Sequence, residues 1–218
     1  KDFTDFKNRC KALGFNGKFA ATEWTWAAPY PGGGGTPSEM QKAKYSAQLM
    51  TAQCAMGMIS LYNETFQTGR IDWDCNLVRN AFSVDPISDA QPQPLYYVFR
   101  SISTVLDGFA GHELPVEFSS AREFDCYTFR KGEGGYLVAV WIPGSTQDEI
   151  AESRANLFVP GVQATGVMGI DVFNGAEQEL RFATDGQGTT IDGLLIKDYP
   201  LFVKLQTLRQ GDNSASPF

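Results

Sequence analysis

The chain has 218 residues, 43% of them hydrophobic, which is material for one large domain or two small ones with ordinary cores. Lys and Arg number 18 against 25 Asp and Glu, a formal charge of −7, and no basic stripe breaks that balance, so neither nucleic acid nor acidic lipid is an expected partner. No apolar run approaches the ~20 residues that span a bilayer.

Phe3, Phe6, Cys10 and Leu13 recur at helical spacing before Gly14 and an Asn16-Gly17 turn, which predicts a short amphipathic helix. The chain starts at Lys1 without Met and runs straight into this helix, and it reads as a piece of something longer. Lys18 to Trp26 is a short, mostly apolar run between turn signals and reads as a buried strand with a carboxylate, Glu23, near its C-terminal end. Alternation along it would put Phe19, Ala21 and Glu23 on one face.

Pro29 to Gly35 is a loop with four consecutive glycines. No Lys-Ser/Thr follows them, so a phosphate-binding loop is excluded. Thr36-Pro37-Ser38-Glu39 reads as a helix start, with Thr36 as N-cap, Pro37 at N1 and Glu39 closing a capping box. Met40, Ala43, Ala47, Met50 and Cys54 then form one apolar face, and Gly57 ends the helix. Met58 to Tyr62 is a second short strand, and it too reads as buried. After an irregular stretch to Pro94, the spacing of Leu95, Val98, Phe99, Ile102, Val105, Leu106 and Phe109 predicts a third helix, stopped by Gly108 and Gly111.

Helix, strand, helix, strand, helix implies a parallel sheet. Two strands cannot form one alone, because such sheets are covered on both faces. The expected fold is therefore α/β followed by all-β. Strand-like runs near 114–119, 123–130, 135–142, 155–160, 166–173, 178–182, 189–196 and 200–206 carry turns between them and predict an antiparallel β-sandwich, packed on the third helix. Residues 1–111 form the first part, 112–209 the sandwich, and 210–218 a polar, frayed tail.

A carboxylate that closes an apolar strand is costly to bury unless it is used or paired. Glu23 is thus either a reacting group or a salt-bridged strand terminus. Trp24, Trp26, Tyr30 and Trp73 are candidates for stacking on a ligand, or for packing between the two parts. Tyr62 and Asn63 are candidates for substrate contact. Asp72 and Asp74 read as solvated turn acids, and His112, the only histidine, as a surface or interdomain residue. Cys10, Cys54, Cys75 and Cys126 include no CxxC pair, so neither a zinc site nor any other cofactor is expected. Their even number permits two disulfides, and their spacing demands none.

The stretch Ala21-Thr22-Glu23-Trp24-Thr25-Trp26 resembles the nucleophile strand of retaining glycoside hydrolases of the large (β/α)8-barrel clan. Trp73 to Arg79, followed by Pro94-Leu95-Tyr96-Tyr97-Val98-Phe99-Arg100, is similar to the closing region of those barrels. Gly169 to Gly175 and Asp198 to Lys204 resemble the β-sandwich that such enzymes append. The resemblance implies that residues 1–111 are the C-terminal quarter of a barrel, with its seventh and eighth strands. It further implies Glu23 as nucleophile, a carbohydrate substrate whose pyranose C–H faces stack on Trp24, Trp26, Tyr30 or Trp73, and an extracellular or periplasmic location. The acid/base carboxylate belongs to an Asn-Glu pair on the fourth strand of the clan, in a missing N-terminal part of the barrel. Asn63-Glu64 has that dipeptide on the wrong strand. The alternative is a non-catalytic carbohydrate-binding or interaction protein with a remnant barrel.

Overall fold

The computed structural model describes residues 2–24, 37–62, 77–79, 91–132 and 135–208. The first helix, α1 (Asp2–Ala12), leads to β1 (Ala20–Trp24). Phe3, Phe6 and Phe15 gather edge-on around Phe19, with ring centroids 5.0 to 5.9 Å away. This small aromatic cluster joins α1 to the start of the strand, and Phe6 and Leu13 remain 54% and 88% exposed.

The second helix, α2 (Glu39–Ala55), starts two residues later than the sequence suggests. Its N-cap is Ser38, whose Oγ accepts from Gln41 N at 3.1 Å, while Ser38 N donates to Gln41 Oε1 at 3.0 Å. Two overlapping capping boxes exist in the sequence, and the Ser38–Gln41 frame is the one used. Ala43 and Ala47 are fully buried, as expected of the apolar face, but so are Lys42, Lys44, Ser46 and Thr51. The helix is covered on two sides, so its polar residues are enclosed as well.

Gly57, at φ 69°, turns the chain into β2 (Ile59–Tyr62). Strands β1 and β2 pair in parallel, as alternation of helix and strand predicts. Among the described residues this two-stranded sheet is the whole parallel sheet. Two short strands, β3 (Val78–Arg79) and β4 (Gln91–Pro92), pair antiparallel ahead of α3 (Pro94–Val105), which has Pro94 in its first turn.

The rest is antiparallel sheet. Strand β5 (Ala110–Gly111) is followed by β6 (Glu117–Phe118), β7 (Asp125–Lys131), β8 (Gly135–Trp141), β9 (Glu152–Pro160) and β10 (Ala164–Asp171). Then come β11 (Glu177–Glu179), β12 (Phe182–Thr184), β13 (Gly188–Lys197) and β14 (Leu201–Thr207). One sheet has the order β11-β10-β14-β8-β7-β5, the other β12-β13-β9-β6. The expected sandwich is present. One expected strand, 178–182, is two: Leu180 N bonds Val167 O in one sheet, and Arg181 O accepts from Asp192 N in the other. The chain changes sheets at that point.

Side-chain alternation divides the core in two. Leu137, Ala139, Trp141 and Phe202 face α2 and α3, packing with Ala43, Ala47, Leu95, Val98 and Ile102. Val138, Val140, Val203 and Leu205 face the other way, against Leu157, Val159, Ile191 and Ile196 of the second sheet. The six-stranded sheet is thus buried on both faces, with helices on one side and the second sheet on the other. Burial of each such aliphatic side chain contributes roughly 1.5–3 kcal/mol. The expected contact of the third helix region with the sandwich is also present: Phe109 lies beside Gly135, and Phe99 joins the core of the six-stranded sheet.

Candidate functional site

The register of β1 on β2 decides where Glu23 stands. Ala21 is level with Ser60 and Trp24 with Tyr62. Thr22 and Glu23 therefore face the single residue Leu61, which is a β-bulge. Simple alternation would put Glu23 in step with Phe19 and Ala21. The extra residue instead puts Trp24 in step with Ala21, and Glu23 leaves that face.

The Ala21 and Trp24 face is the one the helices cover. Ser60 Oγ donates to Gln53 Oε1 of α2 at 2.5 Å and accepts from the Trp24 indole N–H at 3.1 Å. Trp24 stacks on Phe99 of α3 at 5.8 Å, and Tyr62 meets both rings edge-on at 5.0 Å. Both Trp24 and Tyr62 are half-buried by this packing, while Thr22 and Glu23 are exposed. On the other face, Ile59 and Leu61 are 47% and 49% exposed. Glu23 thus sits at the C-terminal end of a parallel strand, beside a half-exposed apolar face.

Of the other candidates, Trp26, Tyr30, Asn63 and Trp73 lie outside the described residues, as do Glu64, Asp72, Asp74, Cys75 and the tail 210–218. Cys10, Cys54 and Cys126 carry free thiols. Burial pushes the Cys54 thiol up, and burial together with the Asp125 charge pushes Cys126 up to about 12. His112 is exposed and bonds through its backbone to Thr128. Among the described residues no cluster of His, Cys, Asp and Glu could hold a metal ion, and no helix is long and apolar enough to cross a membrane.

Two charged clusters were not singled out in the sequence. Lys44 of α2 is fully buried and donates to Asp198 Oδ2 at 2.9 Å, Gln147 O at 2.6 Å and Glu149 O at 2.9 Å. The second cluster lies on the sandwich. Lys197 Nζ donates to Asp171 Oδ2 and to the Tyr199 hydroxyl, each at 2.8 Å, and that hydroxyl donates to Asp171 Oδ2 at 2.9 Å. Burial alone would raise the Asp171 carboxyl, but hydrogen bonds from Lys197 and the Phe173 N–H outweigh it and hold it below its ordinary value. Burial would lower Lys197, and its bonds to Asp171 and Tyr199 raise it instead. Burial pushes the Tyr199 phenol up to about 12. The i, i+2 spacing of Lys197 and Tyr199 was the one local signal of a shared face. Asp171 lies 26 residues from Lys197, beyond any local pattern.

No protein-family model and no curated protein matches the chain. Among solved structures it is similar to the catalytic domain of GH30 xylanase C from Talaromyces cellulolyticus, at 11% identity and a TM-score of 0.49, over 90% of this chain and 42% of that one. It is also similar to a Paenibacillus sp. cycloisomaltooligosaccharide glucanotransferase complexed with cycloisomaltoheptaose, at 10% identity and a TM-score of 0.48, over 77% of this chain and 27% of that one. The chain spans less than half the length of either structure.

Proposed function

We propose that this chain is the C-terminal part of a retaining glycoside hydrolase, with Glu23 as the nucleophile. The observation that carries the reading is the bulge at Thr22 and Glu23. It turns the carboxylate away from the helix-covered face, at the C-terminal end of a parallel strand. In (β/α)8 barrels the reacting groups stand at those strand ends. The motif resemblance around Ala21 to Trp26 points to the same residue.

In this reading β1 and β2 are the seventh and eighth barrel strands, and the apolar face of Ile59 and Leu61 meets the remaining strands. Residues 1–111 are the barrel part and 112–209 the sandwich. Glu23 attacks the anomeric carbon, forming a glycosyl ester while the sugar's leaving oxygen takes a proton. Water then breaks the ester with retention of configuration. The carboxyl that gives the proton and later activates the water stands about 5–5.5 Å from the nucleophile in such sites. Here it comes from an earlier barrel strand. Trp24 and Tyr62, half-buried against Phe99 on the helix-covered face, brace the two strand ends at which Glu23 stands. Trp26, Tyr30, Asn63 and Trp73 supply further sugar contacts.

The test uses the full-length enzyme and a mechanism-based glycosyl fluoride. Label should appear on Glu23, and Glu23→Gln should abolish labelling and turnover. Stability should stay within about 0.5 kcal/mol of wild type, because the side chain is exposed. Label on another carboxylate, or a fully active Gln variant, overturns the assignment.

A further inference from the structure

A second candidate site lies on the sandwich, away from Glu23. Strand β13 has one extra residue between Ile191 and Leu194, with Gly193 at φ 65°. Beside that bulge a groove of about 410 Å³ opens between β13 and the β10–β11 edge. This volume falls within the roughly 300–1,000 Å³ of small-ligand sites. Asp171, Lys197, Asn174 and Gln178 line it, with Leu195 and Leu201 as apolar wall.

The hydrogen-bonding capacity of these side chains is only partly used. A carboxylate has about four acceptor positions. Asp171 uses one on Phe173 N, one on Lys197 and one on Tyr199. Lys197 spends two of its three N–H groups, on Asp171 and Tyr199. The Asn174 carbonyl accepts from Ala176 N, which leaves its two amide N–H groups. Gln178 is exposed at the groove. An acceptor and several donors thus remain in the groove, from both of its sides, with aliphatic carbon alongside. The ammonium and carboxylate are 23% and 20% exposed, so both reach solvent.

We infer that this groove binds a neutral pyranose unit of a glycan, one hydroxyl of a vicinal diol donating to Asp171 and its neighbour accepting from Lys197. A diol needs adjacent acceptor and donor, and the ion pair presents both. The pyranose C–H face lies on Leu195 and Leu201. An anionic ligand would meet the Asp171 carboxylate, and a purely apolar one would leave the pair dry and unsolvated. The perturbed ionisation of all three members agrees with a built polar site. The choice of a glycan rests on the hydrolase reading above, whereas the groove's donors and acceptors stand without it. The site would hold the polymer while the strand-end carboxylate acts on it.

The experiment is titration of the whole chain with xylotetraose, cellotetraose and maltotetraose, followed by NMR shifts and calorimetry. At least one probe should shift the amides of residues 171–178 and 193–197. Gln178→Trp, which fills the groove from an exposed position, should weaken binding about tenfold or more. Asp171→Asn should weaken it by a similar factor, the size of a lost hydrogen bond to a charged group. In Glu23→Gln the amides of residues 171–178 and 193–197 should still shift as they do in wild type. If binding survives Gln178→Trp and falls in Glu23→Gln, the glycan sits at the strand end and the groove proposal is overturned, while the hydrolase reading stands. If no probe binds, the groove proposal is overturned too, and labelling of Glu23 still decides the hydrolase reading separately.

Discussion

Lys44 on α2 and Asp198 after β13 meet at 2.9 Å with side chains 0% and 4% exposed, although 154 residues separate them. The pair fastens the helical part to the sandwich. Gln48 adds a bond to Asp198 O at 2.9 Å, and Gln41 one to Thr146 O at 2.9 Å. Breaking a buried pair from one side leaves an uncompensated charge, at a cost of about 3–5 kcal/mol. Asp198→Ala should therefore lower unfolding free energy in urea by about that amount. Lys44→Met combined with Asp198→Leu should cost less than the two single changes added together. A single variant as stable as wild type would show that the pair does not hold the two parts together.

Gly111→Ala should be strongly destabilising. A Cβ on Gly111 would lie 1.8 Å from the carbonyl oxygen of Ala55 at the end of α2, and backbone cannot step aside as a side chain can. The cost should reach or exceed the roughly 1–3 kcal/mol typical of overpacking. Gly132→Ala is the control: its Cβ meets nothing, so only the φ of 53° opposes it. Thermal melts of the two variants should separate clearly, with Gly111→Ala the lower.

The Asp171–Lys197–Tyr199 cluster sets a pH dependence with a definite sign. The Asp171 value is depressed from 3.8, so its contribution is present above that pH and is lost as pH falls through the folded value. Lys197 is raised from 10.5 and Tyr199 from 10.0 to about 12. Their contributions are complete below the ordinary values and vanish as pH rises through the raised ones. Melting temperature plotted against pH should fall below about pH 4 and again above about pH 10. In the Asp171→Asn, Lys197→Met double variant both limbs should be shallower.

Cys126 should be almost inert in the native chain. With its thiol pushed up to about 12, its thiolate population near pH 8 is on the order of a thousandfold below that of an ordinary cysteine. Alkylation with iodoacetamide, read by peptide mass mapping, should modify Cys126 at a comparable lag behind the same residue in urea. Equal rates in the two states would show that the thiol is not shielded.

Most of the sandwich was legible from the sequence because strand pattern is local. Gly135 to Trp141 alternates residues that face two different apolar environments, and an uninterrupted apolar run says that both faces are covered. The capping sequence before α2 was legible too, though not the choice between frames starting at Thr36 and Ser38. The sheet change at Leu180 and Arg181 was not, because each half is a three-residue strand whose partner is chosen by the sheet it meets.

The site divides in the same way. By itself the sequence determined that Glu23 ends an apolar strand, that a second short strand follows a helix, and that an antiparallel sandwich comes after them. These are consequences of spacing and propensity over a few residues. Only the tertiary structure decided that a bulge sets Trp24, not Glu23, in step with Ala21, since an extra residue shows only against the partner strand. It also decided that Lys44 is buried against Asp198, and that Asp171, Lys197 and Tyr199 meet in one hydrogen-bonded cluster. In one dimension a lysine on a helix looks solvated. Its burial depends on which distant chain supplies the carboxylate and carbonyls, because a charge leaves water only where such partners are already in place.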